Sequence, residues 1–264
     1  MQSSAYNVAT SASKNIISHM LIITLFCGIM EFMQPTFSQK HPILKDILSL
    51  VCFVAAIIGG TVLLNTFVYR SYNVVGGSME NTLLGDDRMI VNRLTVSWAH
   101  FLGQEYKPER GQIIVFANAD EKKLEELKQE KAAEMGVEVS EVGELTTCFA
   151  PSNVADQYII KRVIAFPGER VVVKDGIMTV YNEEHPDGFV YDQEWRKSDT
   201  EGPKEYTSGE VDLVVPEGEL FVSGDNREGS NSWDSRNGLG TIPYCRVVGP
   251  VVFRLFPFDR MRLF

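Results

Sequence analysis

Histidine and cysteine are scarce in this chain, four of each among 264 residues. The histidines, at 19, 41, 100 and 185, have no metal-ligand spacing, and no Cys-x-x-Cys pair occurs, so the sequence predicts no metal site. Positive charge is also in deficit, with 25 Lys and Arg against 35 Asp and Glu and a net charge of −10. No basic stripe or cluster offsets that balance, which excludes nucleic acid as an expected partner. The chain has no internal repeat. Its first apolar run has neither a basic start nor a small-x-small cleavage site, so it does not read as a cleaved leader.

Charge is missing most conspicuously from Ile47 to Val68, "ILSLVCFVAAIIGGTVLLNTFV". As a helix this run is about 33 Å long, enough to cross the hydrocarbon core of a bilayer. Lys45-Asp46 closes it on one side and Tyr69-Arg70 on the other, with Tyr69 suited to the interface. An earlier run, residues 15–33, contains His19 and Glu31 and reads as a second span, an interfacial helix or a packing helix. One or two N-terminal spans are therefore expected, in an anchor covering residues 1–70. Lys40 and Lys45 lie between the runs, and the positive-inside rule places them in the cytoplasm and residues 71–264 on the far side. Cys148 and Cys245 fall in that large domain, where an exported location permits a disulfide.

Past Arg70 the sequence is mainly β. "RMIVNRL", "QIIVFAN", "YIIKRVIAF", "RVVVKDG", "IMTVYN", "ELFVSGD" and "VVGPVVFRLF" are rich in β-branched and aromatic residues, and Gly, Pro or Asp punctuates most of them. "VVKDGIMTV" reads as a hairpin with an Asp-Gly turn. The pattern predicts an antiparallel barrel or sandwich-like domain. One segment departs from it. Residues 118–136, "NADEKKLEELKQEKAAEMG", predict a charged helix inserted between strands, capped by Asp120 and ended by Gly136. Its thin apolar stripe fits either a solvated face or a partner contact.

Ser78 lies in "VVGGSMENTLLGDD", a glycine-flanked turn just after the apolar run, with no histidine nearby. A serine hydroxyl needs a base during attack, and a neutral lysine can supply one. Bringing a lysine from its reference pKa near 10.4 to about 7 takes roughly 4–5 kcal/mol against the charged form. Burial among apolar groups can do this. Lys161 is the one lysine set within such a run, "QYIIKRVIAFPGERV". Strand alternation would put Ile159 on its face, with Ile160 and Arg162 on the other.

Four boxes in order, from about Tyr72 to the C-terminus, resemble the type I signal peptidase family of membrane-bound Ser-Lys proteases. "GGSMENTLLGDDRMIVNRL" resembles the family's Ser-Met-x-Pro-Thr-Leu box, and "RGQIIVF" its Arg-Gly-Asp strand box. "KRVIAFPGE" resembles Lys-Arg-x-x-Gly-x-Pro-Gly-Asp, and "GDNREGSNSWDSRNGLG" resembles Gly-Asp-Asn-Arg…Asp-Ser-Arg. The resemblance implies that Ser78 is the nucleophile and Lys161 the general base, with no cofactor. Met79 would pack beside the nucleophile near a membrane-facing surface, and Ile159 would line a shallow substrate pocket. The Ser78 N–H would serve the oxyanion. Gly76 stands where some members carry a second hydroxyl donor. Arg162, Asp225, Asp234 and Arg236 would support the site, with Asp234 balanced between arginines. The last box is two residues longer than the family pattern, so either Ser230 or Ser232 would orient the lysine, and anchoring on Asp-Ser-Arg favours Ser232. Asn81 replaces a proline, Gln112 an aspartate, Ala165 a glycine and Glu169 an aspartate.

The resemblance implies a membrane-anchored endopeptidase that removes signal peptides from exported preproteins on the outer side of the membrane. Preprotein signal peptides and the bilayer would be its partners, and the export machinery is a candidate partner. The rival readings are another Ser-Lys protease of the self-cleaving repressor type and a non-catalytic, membrane-tethered β domain.

Overall fold

A computed structural model describes residues 42–119, 121–136, 138, 155–194 and 206–264. Chain contacts divide it into two units, one holding residues up to Val68 with Ser97–Gln104, the other Tyr69–Val96 with Glu105–Phe264. In the first, helix α1 (Pro42–Leu63) runs into a wider π-type turn, Leu64–Val68. Asp46–Val68 is the one helix among the described residues long and apolar enough to cross a membrane. Leu50, Phe53, Ile57 and Ile58 are exposed on it, as lipid contact would require. The earlier apolar run lies outside the described residues, as does Cys148. Cys245 is disulfide-bonded.

The second unit is built on two antiparallel sheets. The larger takes the order β1 (Tyr69–Asn73), β2 (Arg88–Asn92), β11 (Val247–Phe256), β3 (Ile113–Ala119), β4 (Ala155–Ala165), β9 (Glu219–Ser223), β10 (Ile242–Pro243), with β12 (Arg262–Leu263) paired to β11. The smaller runs β7 (Phe189–Val190), β6 (Ile177–Tyr181), β5 (Arg170–Lys174), β8 (Val211–Val214). β5 and β6 meet at an Asp175-Gly176 turn with φ of 53° and 81°. Two positive φ values in succession match the right-handed twist of the strands, and Asp-Gly tolerates both.

Alternation along β3 separates two of the three apolar clusters. Ile113 and Val115 join Val74, Met79, Leu83 and Met89 on one side. Ile114 and Phe116 join Val163, Leu220 and Val222 on the other. The third cluster joins the smaller sheet (Val171, Val173, Met178, Val180) to Ile164 and Phe221 of the larger. A short helix, α2 (Leu94–Phe101), follows β2 and begins at Leu94, the last residue of the run read as strand from sequence. The Asn92 side chain accepts the Leu94 N–H at 2.9 Å, the kind of local bond that starts a helix. The inserted helix, α3, spans Glu121–Met135, and the preceding strand extends to Ala119, beyond the helix start read from sequence.

Candidate active site

Ser78 sits in the tight turn between β1 and β2. The Glu80 N–H donates to the Gly77 carbonyl at 3.0 Å, and the Thr82 and Leu83 N–H groups donate to the Met79 carbonyl at 3.0 and 2.8 Å. Asn81 has a φ of 73°. Proline is locked near −65°, so this turn uses a backbone that a proline at the same position could not take, while asparagine accepts it. Gly76 has a φ of 83°, with open space where a side chain would be. Met79, next to the nucleophile in the chain, is fully buried in the core cluster beside Val74 and Leu83.

The turn is clamped from far along the chain. The Asn226 N–H donates to the Ser78 carbonyl at 3.0 Å, and its side-chain amide donates to the Gly77 carbonyl at 3.0 Å. Gly224 packs so closely that a Cβ there would collide with the Ser78 carbonyl oxygen and the Ser232 hydroxyl. Asp225 receives Arg162 through both oxygens, at 2.8 Å from Nε and 2.5 Å from Nη2, and also accepts the Thr82 hydroxyl. Arg162 donates further to the Gly111 carbonyl at 2.8 Å. Arg254 reaches the Thr82 carbonyl and forms a 3.2 Å ion pair with Asp87.

Lys161 projects from β4, paired across to Ile114 of β3. Its Nζ lies 2.7 Å from Ser78 Oγ and donates to the Ile160 carbonyl at 3.0 Å. The residue is 3% exposed. Burial pushes its pKa down to about 8, with Arg236 acting in the same direction and the carboxylates of Asp234 and Asp225 opposing. The amine is thus within one proton transfer of the hydroxyl and titrates near physiological pH.

One detail differs from the sequence expectation. Asp234 pairs with Arg236 at 2.7 Å and accepts the Gly224 N–H at 2.9 Å, while Arg162 belongs to Asp225. Asp234 is therefore not shared between arginines. Burial opposes its charge, but Arg236 prevails and holds its pKa low. Ile159 packs in the cluster with Phe116 and Val163, whereas Ile160 packs in the cluster with Met79. The side chain adjoining Met79 is that of Ile160, because Met79 meets the sheet face opposite Ile159. Ser230 is exposed, and Ser232 is fully buried beside Gly224. The longer last box therefore brings Ser232 to the site and leaves Ser230 outside it. Thr82, Asn226 and Arg254 were not singled out from sequence. The first two stand inside the quoted boxes, and the third gives no local signal.

The profile of the family described as signal peptidase, peptidase S26, matches residues 44–256. A signal peptidase I of Bacillus licheniformis is 30% identical over 217 residues, covering 81% of this chain and 92% of that protein. A probable signal peptidase I-1 of Synechocystis is 33% identical over 198 residues, 75% of this chain and 76% of its own. The signal peptidase I P of Bacillus subtilis subsp. natto is 29% identical over 204 residues, 76% and 84% respectively.

Proposed function

Because this chain belongs to the signal peptidase, peptidase S26, family, we propose that it is a signal peptidase I working through Ser78 and Lys161. Family membership sets aside the self-cleaving repressor-type reading and the non-catalytic one. One observation carries the assignment of the dyad: a buried lysine amine 2.7 Å from a serine hydroxyl, with its pKa already brought down to about 8.

In this mechanism neutral Lys161 takes the proton of Ser78 as Oγ attacks the scissile carbonyl. The Ser78 N–H donates to the oxyanion. Gly76 offers no side-chain donor, so any second contact comes from backbone or solvent. Collapse of the tetrahedral species expels the new N-terminal amine of the mature protein, which takes the proton from Lys161. The released lysine then deprotonates a water that hydrolyses the acyl-enzyme. We assign the orienting role to Ser232, buried beside the nucleophile turn, although its hydroxyl and the Lys161 amine are not hydrogen-bonded here. Met79 and Ile160 form the floor of a shallow apolar pocket for a small residue before the cut. No step calls for a cofactor. The apolar helix anchors the catalytic unit in the bilayer, with its active face on the extracytoplasmic side, where signal peptides emerge and the export machinery can deliver them.

The test is cleavage of a purified preprotein by the detergent-solubilised full chain, with the cut mapped by mass spectrometry and the rate followed against pH. The expected cut follows a small-x-small sequence. Because the base works as the free amine, kcat/KM should rise about tenfold per pH unit below about 8 and level off above it. A flat profile from pH 6 to 9 would remove Lys161 as the base.

A further inference from the structure

The large sheet is curled enough to bring β1 to β4, although β2, β11 and β3 lie between them in the hydrogen-bonded order. The contact is aromatic. The rings of Tyr72 on β1 and Tyr158 on β4 have centroids 5.1 Å apart and are tilted by 56°. Arg70 caps the pair, with its guanidinium carbon 5.4 Å from the Tyr72 centroid and 5.3 Å from the Tyr158 centroid. Stacking of this kind pins an arginine while leaving its N–H edge able to bind a planar anion. Arg70 is only half-buried, and no carboxylate among the described residues pairs with it. In a chain with a net charge of −10, an immobilised cation lacking a carboxylate partner suggests an anion supplied from outside.

The cluster stands beside a vacant strand position that leads to the dyad. β1 pairs only with β2, and β4 meets β9 only from Arg162 onward, so among the described residues both strands offer a free backbone edge. Both also run toward the site: β1 continues through Val74 to Ser78, and β4 reaches Lys161 three residues after Tyr158. At about 3.3 Å per residue, Tyr158 is about 10 Å back from the lysine and Arg70 lies beside it. A peptide extended along these edges with its scissile bond at Ser78 would bring its fourth or fifth residue to Arg70. Arg70 is two residues beyond Val68, where the apolar helix ends, and a signal peptide's apolar segment likewise precedes its cut. The Arg70 end therefore receives the part of the substrate upstream of the bond.

From this juxtaposition we infer that Arg70, braced by Tyr72 and Tyr158, is a specificity-determining residue that binds an acidic side chain four or five residues before the cleaved bond. The inference rests on the signal peptidase reading above. Its test uses the full chain in zwitterionic detergent with synthetic peptides that share one small-x-small cut site. Glu, Gln or Lys is placed at the fourth position before the cut and, in a second set, at the fifth. In one of the two sets kcat/KM for the Glu peptide should exceed that for the Lys peptide by about tenfold, as for a charge-assisted pair. Added salt should narrow the gap. Arg70→Gln should bring the ratio to about one and Arg70→Glu should invert it, with the Gln peptide cut at a similar rate by all three proteins. Equal Glu-to-Lys ratios in wild type and Arg70→Gln, with the Gln peptide still cut, would overturn this inference alone. A preference seen only after anionic lipid is added would assign Arg70 to a headgroup and also overturn it. If the wild type cuts no peptide, the underlying peptidase reading fails, and this one with it.

Discussion

Replacing Ser78 with Ala or Lys161 with Met should each lower preprotein cleavage by at least about a thousandfold, and the double variant should be no worse than either single one. The two groups act as one unit: without the amine the hydroxyl holds its proton, and without the hydroxyl the amine has nothing to activate except water. The stability of the two variants should diverge. Lys161 has a folded pKa lowered to about 8 from an unfolded value of 10.5. Below about 8 it is protonated in both states, and its burial costs roughly 3 kcal/mol. Between about 8 and 10.5 the unfolded chain binds the extra proton, so wild-type stability rises with pH across that window. Lys161→Met removes the buried charge and should be inactive yet more stable than wild type at pH 7, with much less of that rise. Urea titrations at pH 7 and 9.5 alongside the cleavage assay measure both. An active Lys161→Met, or one that is less stable at pH 7, contradicts the assignment.

The second large effect is expected from Asp225→Ala. Asp225 is completely buried, and its carboxylate takes both donors of Arg162 and the hydroxyl of Thr82. Burial alone would raise its pKa, but Arg162, with Arg227 and Thr82, outweighs that and holds it below 3.8. Removing the carboxylate strands a guanidinium that is itself almost buried, at a cost of about 3–5 kcal/mol. In a domain of this size that lowers Tm by about 10 °C. Asp225→Asn keeps the Thr82 and Arg162 contacts in weakened form and should lose less. A useful control is Arg170→Ala. It removes a bidentate pair with Asp212 at 2.7 and 2.6 Å whose side chains are 50% and 59% exposed, so solvent screens it and the melting temperature should stay close to that of wild type. The same depressed pKa means that the Asp225 contribution is present above about pH 4 and is lost as pH falls through the folded value. Differential scanning calorimetry of the three variants separates these cases. An Asp225→Ala protein melting within 2 °C of wild type would show that Arg162 finds another acceptor.

The strands and the Asp-Gly hairpin were legible because their signals are local: β-branched runs between turn residues. The Ser78–Lys161 contact was legible for a different reason. A lysine inside an apolar strand is costly, and the quoted boxes name a partner for it. Helix α2 was missed because Thr95 and Val96 in its first turn are β-branched, with weak helix preference, and what starts it is a side-chain contact from Asn92. Which apolar cluster Ile159 and Ile160 each join was not legible, because alternation shows which residues share a face, not which face the nucleophile turn will cover. That depends on Met79 packing against Ile113 and Val115. The choice between Ser230 and Ser232 turned on counting along a box of unusual length, and burial beside Gly224 distinguishes them. The Arg70–Tyr72–Tyr158 stack joins strands that do not pair, and no short-range pattern announces it.

The strand between β2 and β3 in the large sheet is β11, residues Val247–Phe256, and the nucleophile turn is tied to Asn226 and Arg254. Ribosomal synthesis delivers these pieces after both Ser78 and Lys161. A chain still being synthesised has made Ser78 and Lys161 before it has the scaffold that holds them. Until β11 and Arg254 are in place the proposed dyad has no scaffold to align it, and a partly made chain should be inert.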